Sequence, residues 1–385
     1  MVLIGRFFTK PEASFFLFGP RGTGKSTWAQ IAFKDALIVD LLEPDTQRRY
    51  LAKPERLLEL VRGQAARVHT VLIDEVQKVP SLLDAVHRLM EERRGLQFVL
   101  TGSSARKIKR TGADLLAGRA ILRTMHPFMA GELGPKFSLD NALRVGMLPV
   151  VLASAAPEET LASYVALYLK EEVQAEALVR NIGAFARFLE VLSFSHGACL
   201  NVSNVARESE IERKTVAGYI DVLEDLLLGF RLPVFTKRAK RKLSEHPKFY
   251  YFDAGVFRSL RPKGTFDRPE EIEGAALEGL VAQHVRAWIG YQTGPNELYF
   301  WRTRSGVEVD FIVYGEAGLW AVEVKNTNRV RDADLRALRT FGDDFPECRS
   351  VFLYRGRERL ERGGILCLPC DDFLRELKPG RPLVA

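Results

Sequence analysis

The stretch FFLFGPRGTGKST, Phe15 to Thr27, constrains the fold more than any other. It holds Gly19, four residues, then Gly24-Lys25-Ser26, between an apolar run (Phe15 to Phe18) and a segment that suits a helix, STWAQIAF. A strand that enters a glycine-rich turn and opens a helix lets backbone N–H groups curl around phosphate oxygens at the helix N-terminus. Gly19, Pro20, Arg21, Gly22, Thr23, Gly24, Lys25, Ser26 and Thr27 are therefore candidate nucleotide-binding residues. Lys25 is placed to reach the β- and γ-phosphates, and Ser26 to ligate Mg2+. A loop of this kind needs a sheet behind it, so the fold class is α/β.

The next motif lies at a fitting distance. TVLIDEVQKVP, Thr70 to Pro80, has Val71, Leu72 and Ile73 as a short continuous apolar run, as a buried parallel strand requires. The run ends in Asp74-Glu75, which puts one carboxylate where it holds Mg2+ and the next where it polarises the attacking water. A third strand, LQFVLTGSS (Leu96 to Ser104), has a polar end from Thr101 to Ser104. Ser103 there is a candidate sensor of the γ-phosphate or of the water; a plain turn of small residues is the alternative.

The order of P-loop, Asp-Glu-Val-Gln and Thr-Gly-Ser-Ser resembles the AAA-type ATPases of the AAA+ superfamily. More narrowly it resembles the prokaryotic ATPases whose C-terminal half is called domain of unknown function 4143. LLAGRAILRTMHPFMAGEL, Leu115 to Leu133, is similar to that family too. The resemblance implies ATP and Mg2+ as cofactors and Arg119 as an arginine finger acting on a neighbour's nucleotide, hence a homo-oligomeric ring with a hexamer favoured. A surface arginine is the other reading of Arg119.

Four segments follow from the pattern: a P-loop ATPase core over 1–128, a helical lid over 129–195, a winged-helix domain over 196–256 and a C-terminal α/β domain over 257–385. In the third, Val216, Ile220, Leu223 and Leu227 line one face of a helix that follows a shorter one. The strand-like FRLPVF and PKFYYFD come next, with TKRAKRKLSEHP between them. Helix, turn, helix and two-stranded wing is the winged-helix order. Lys237, Arg238, Lys240, Arg241 and Lys242 on the wing, with Arg213 and Lys214 at the start of the long helix, are candidate DNA-phosphate contacts. Asp221, Glu224 and Asp225 make the second half of that helix acidic, which argues against deep groove reading. The chain as a whole is basic: 56 Lys plus Arg against 49 Asp plus Glu give a net charge of +7 and a pI near 9.2. That balance favours a polyanionic partner.

In the last segment, Leu277, Leu280, Val281, Val285 and Trp288 mark the buried face of a helix that Glu278 borders. The strand that follows alternates Val307, Val309, Phe311 and Val313 against Glu308, Asp310 and Ile312, and after a turn Ala321, Glu323 and Lys325 share a face. The hairpin brings Asp310 toward Glu323 and Lys325. Asp310 and Glu323 suit Mg2+, Lys325 the nucleophilic water and Glu278 a further ligand, a set fit for phosphodiester hydrolysis. Ile312 would leave one side of this site dry. The arrangement resembles the PD-(D/E)XK nuclease fold, to which domain 4143 is similar. The fold is also used as a clamp that does not cut.

Four cysteines, with a lone Cys367-x-x-Cys370 pair, fall short of a zinc site and suit reduced thiols. No apolar run approaches the roughly eighteen residues of a membrane span. The expected protein is a cytoplasmic ATPase that translocates on, unwinds or remodels branched or single-stranded DNA, with a nuclease site at Glu278, Asp310, Glu323 and Lys325. The alternative is an ATP-driven regulatory or defence switch whose C-terminal half is a docking module that does not cut.

Overall fold

The computed structural model describes residues 4–64, 67–92, 95–103, 116–168, 181–237, 243, 246–265 and 267–384. The chain divides into two compact units, Phe8–His126 with Asp225–Leu227, and Met1–Phe7 with Pro127–Glu224 and Leu228–Ala385.

The first unit is a parallel sheet of β1 (Phe15–Phe18), β2 (Leu37–Asp40), β3 (Thr70–Asp74), β4 (Gln97–Gly102) and β5 (Ile121–Thr124), in the order β2-β3-β4-β1-β5. Central strands of such a sheet are covered on both faces, and every residue of β1 is buried. The helices between the strands are α1 (Lys25–Ala32), α2 (Pro44–Ala52), α3 (Arg56–Gly63) and α4 (Leu82–Glu92). All strands run the same way, so the carboxyl ends of β1, β3 and β4 lie along one edge, where ligands of open α/β sheets bind.

The second unit begins with short helices α5 (Ala130–Leu133), α6 (Leu139–Val145), α7 (Pro149–Leu152) and α8 (Pro157–Ser163), then α9 (Ile182–Ser193). α10 (Val202–Ser209) and α11 (Arg213–Asp225) follow, and β6 (Ala198–Cys199), β7 (Gly229–Leu232) and β8 (Lys248–Tyr251) form an antiparallel sheet in the order β6-β8-β7. Asn201 caps α10, its side chain accepting from Asn204 N at 3.0 Å. Val216, Ile220 and Leu223 are buried along α11. Leu227 is not on that helical face: the helix ends at Asp225, Leu227 takes φ +59°, and Leu228 N donates to Leu223 O at 2.8 Å. That six-to-one bond closes a Schellman-type cap, here with a leucine in the left-handed position that glycine usually fills.

The remainder of the unit is α12 (Ala254–Leu260), α13 (Pro269–Tyr291) and a six-stranded mixed sheet, β13-β14-β12-β11-β10-β9. Its strands are β9 (Asn296–Arg302), β10 (Glu308–Gly315), β11 (Gly318–Val324), β12 (Arg349–Tyr354), β13 (Leu360–Arg362) and β14 (Ile365–Pro369). α14 (Arg336–Asp344) lies in sequence between β11 and β12, and α15 (Cys370–Glu376) follows β14. Leu277, Leu280, Val281, Val285 and Trp288 of α13 are all wholly buried.

Strict alternation fails in β10. The pairing of β10 with β9 shifts between Val309 and Ile312, which marks a β-bulge. Val309 and Ile312 therefore share one core with Ala321 and with Leu338 and Phe341 of α14. Phe311 packs instead on Tyr250, ring centroids 6.0 Å apart. Ile312 does not lie beside Asp310 as period two implies; it belongs to the α14 core. Cys367 and Cys370 are both free and buried, one on β14 and one opening α15.

Candidate functional site

The phosphate loop is built as its residue types require. Gly22 and Gly24 take φ of +81° and +86°. A Cβ on Gly19 would meet Met125 O at 2.4 Å, so only glycine allows the loop to pass that carbonyl. Lys25 is buried, and its Nζ donates to Gly19 O at 2.7 Å and Pro20 O at 3.1 Å. Thr23 Oγ1 donates to Pro20 O at 2.8 Å. Arg21 and Thr27 are exposed. Gly24 caps α1 with no side chain of its own, which leaves the first N–H groups of the helix to be met by a ligand's anionic oxygens.

Ser26 Oγ, from α1, donates to Asp74 Oδ1 at 2.9 Å, and the same oxygen accepts from Thr101 Oγ1 of β4. Asp74 is almost wholly buried. A hydroxyl and a carboxylate oxygen side by side, with Lys25 in the same loop, form a hard-oxygen donor set that fits Mg2+ carrying nucleotide phosphates.

Glu75, next along, is a non-glycine residue in the left-handed region, φ +58° and ψ +47°. A bulky residue is held there only when its surroundings fix it. They do so from two sides: Glu75 N donates to Thr101 Oγ1 at 3.2 Å, and Gln77 Nε2 donates to Glu75 Oε2. The same amide nitrogen donates to Ser103 Oγ at 3.1 Å. A Cβ on Gly102 would lie 2.3 Å from Gln77 Oε1, so the glycine of TGSS is what lets this amide approach. Ser103 thus reaches Glu75 through Gln77, a residue missed in sequence although it stands two places after the catalytic candidate. Arg119 sits at the surface of the same unit, its guanidinium 3.0 Å from Glu91 Oε1.

The second unit brings the other four candidates together. Lys325 Nζ lies 2.6 Å from Glu323 Oε1, and Glu323 Oε2 accepts from Asp310 N at 3.4 Å. Asp310 Oδ2 accepts from Val324 N at 3.0 Å. The β10 bulge is what turns Asp310 into this position. Glu278 of α13 completes the set through a residue that pattern reading passed over. Lys248 of β8, only 1% exposed, places Nζ 2.9 Å from Glu278 Oε1, 2.6 Å from Glu308 Oε1 and 3.1 Å from Asp310 Oδ1. Tyr250 OH donates to Glu278 Oε1 at 2.6 Å, and Arg302 holds Glu308 at 3.1 Å. Lys248 follows Pro247 in an apolar strand, and nothing in its neighbourhood signals an ionic role.

Charges so buried set one another's protonation. Burial pushes Lys248 down, but Glu278, Tyr250, Asp310 and Glu308 outweigh it and hold the ammonium well above its ordinary value. Asp310 falls below its ordinary value because Lys248 and Lys325 outweigh its burial. Glu278 is raised, first by burial and then by Asp310. Glu323 is pushed up to about 8, first by burial and then by Asp310, against the pull of Lys325. The folded chain therefore keeps a proton on Glu323 at pH values where the unfolded chain has lost it. Stability from this group is full at acid pH and is lost as pH rises from about 5 through about 8. Denaturant midpoints of the wild type should fall over that window and those of Glu323→Gln should fall less; equal falls would contradict the assignment.

The donor set of this cluster does not fit a divalent cation, because an ammonium already holds Glu278, Glu308 and Asp310. Among the described residues, no three His, Cys, Asp or Glu side chains stand in a metal-holding arrangement.

Arg213 and Lys214 are exposed at the N-terminal end of α11. Lys237 is tied down, 2.9 Å from Glu297 and over the ring of Tyr314 at 4.3 Å. Arg238, Lys240, Arg241 and Lys242 lie outside the described residues. The acidic second half of α11 is partly neutralised by Arg231, which pairs with Asp221 at 2.9 Å and with Glu224.

Comparison with known proteins finds three matched domains. Residues 12–134 match an AAA domain, residues 136–267 a domain of unknown function (DUF8612), and residues 273–373 a domain of unknown function (DUF4143). The chain thus carries an AAA domain and a C-terminal DUF4143 domain, and the AAA domain points to ATPase activity. An uncharacterized protein of Mycobacterium tuberculosis is 26% identical over 93% of this chain and 80% of its own length. An uncharacterized protein of Methanocaldococcus jannaschii is 24% identical over 64% of this chain and 58% of its own. The crystal structure of protein VC1899 from Vibrio cholerae aligns over 84% of this chain and 93% of its own, at 13% identity and a TM-score of 0.23, too low to argue from. Among the described residues no helix is long and apolar enough to cross a membrane.

Proposed function

We propose that this chain hydrolyses ATP and uses the cycle to translocate on, unwind or remodel DNA. The observation that carries the ATPase part is the meeting of Ser26 Oγ and Thr101 Oγ1 on Asp74 Oδ1, beside Lys25 and the phosphate loop. Lys25 would bind the β- and γ-phosphates. Ser26 and Asp74 would hold Mg2+, which when bound supplies charge to the phosphate oxygens. Glu75 would orient the attacking water and take its proton, with its carboxylate fixed by Gln77. Arg119, exposed on the core, would be offered to the nucleotide of a neighbouring copy in a ring, for which a hexamer is our reading.

The DNA part rests on the +7 net charge and on the exposed basic start of α11, in a helix, turn, helix and sheet order that suits a winged helix. Reversing both charges, Arg213→Glu with Lys214→Glu, should weaken binding to labelled duplex and single strands and reduce the salt slope by about 2. Unchanged affinity and slope would remove α11 from the interface.

We do not adopt cleavage at Glu278, Asp310, Glu323 and Lys325. The acidic cluster supports the other reading of the C-terminal half, a nuclease-like module that docks without cutting, and Lys248 is the observation that favours it.

A further inference from the structure

We propose that Lys248 is the resident cation of the acidic cluster, taking the place that a divalent ion would otherwise hold, and that the cluster is a metal-free latch joining β8 to α13 and β10. The inference is independent of the ATPase reading and rests on four observations.

An ammonium has three N–H donors, and Lys248 has three carboxylates around it, Glu308 at 2.6 Å, Glu278 at 2.9 Å and Asp310 at 3.1 Å. The side chain is 1% exposed, so water is not the alternative partner. Other oxygens of the cluster are held as well: Asp310 Oδ2 by Val324 N, Glu308 Oε2 by Arg302, and Glu323 by Lys325 and by Asp310 N, while Glu278 Oε1 also accepts from Tyr250 OH. Lastly, the ammonium and its carboxylates come from separate elements, β8 for the lysine, α13 for Glu278 and β10 for Glu308 and Asp310.

A buried charge is tolerated when it is paired and its hydrogen-bonding capacity is met, and removing one partner leaves the others uncompensated. A metal ion cannot bind Glu278, Glu308 and Asp310 together without displacing Lys248. Shortening Lys248 leaves Glu278, Glu308 and Asp310 facing one another with no cation between them. That is a hard-oxygen set of the kind that binds Mg2+ or Mn2+. The chain therefore holds a latent metal site that its own lysine closes.

The test is manganese binding by electron paramagnetic resonance on the full-length, nucleotide-free protein. Wild type is expected to show no Mn2+ site that Asp310→Asn removes. Lys248→Ala is expected to gain one, tighter than any wild-type binding by more than about tenfold, since the ion relieves the uncompensated charge. The double variant Lys248→Ala with Asp310→Asn should lose it again. A wild-type Mn2+ site abolished by Asp310→Asn would overturn the proposal, and so would a folded Lys248→Ala that binds Mn2+ no better than wild type. If Lys248→Ala fails to fold, Lys248→Met is assayed in its place, and thermal melting in saturating Mn2+ decides: the same shift in wild type and Asp310→Asn supports the latch, and a shift that Asp310→Asn removes overturns it.

Discussion

A Lys25→Ala variant is expected to lose ATP hydrolysis by about 100- to 1,000-fold, the loss that follows removal of one group aimed at developing charge in a closed site. Nucleotide affinity should fall with it. Lys25 is the first residue of α1 and is 5% exposed, so its long side chain is held inside the loop. Its Nζ lies within hydrogen-bond reach of Gly19 O and Pro20 O, which fixes the ammonium at the mouth of the glycine turn. Alanine deletes that charge while suiting the helix, since it is the best helix former. Circular dichroism and the melting curve should therefore change little, and a labelled ATP analogue should titrate much more weakly. An unchanged turnover rate would refute the assignment of this loop.

Glu75→Gln should separate chemistry from binding. The amide has the size of the carboxylate but cannot take a proton from water, and general-base catalysis contributes about 100- to 10,000-fold. Turnover should drop by about that range while ATP affinity stays near the wild-type value, because Lys25, Ser26 and Asp74 are untouched. The left-handed backbone at Glu75 and its N–H bond to Thr101 Oγ1 are also unchanged by the substitution. A variant that lost binding together with turnover would show that Glu75 supports the loop and not the reaction.

The two sites differ in how much of each is legible from sequence. The nucleotide site is local in origin: the loop runs from Gly19 to Ser26 without a break, and Asp74 announces itself at the end of an apolar strand. What escapes is Gln77, because its part depends on Gly102 leaving room for the amide, a contact across two strand ends. The acidic cluster is legible only by halves. Period two puts Glu323 beside Lys325, but Asp310 is aimed by a bulge that no alternation rule contains. Lys248 is out of reach of pattern reading altogether, since it meets Asp310 across 62 positions of sequence and looks like an ordinary strand residue. The β13–β14 hairpin, by contrast, rests on a local signal. Gly363 and Gly364, both at positive φ, join two short strands as a two-residue hairpin turn requires.

The proposed function couples ATP hydrolysis at Lys25, Asp74 and Glu75 to DNA. The most direct test is the steady-state ATPase rate of the full chain, alone and with single-stranded, duplex, forked and four-way-junction DNA at low salt, with Lys25→Ala as the blank. At least one of these DNAs is expected to raise the rate above that of the chain alone, and the stimulation should fall as salt rises. An ATPase that no DNA stimulates, in a protein that binds none of them at low salt, would contradict it.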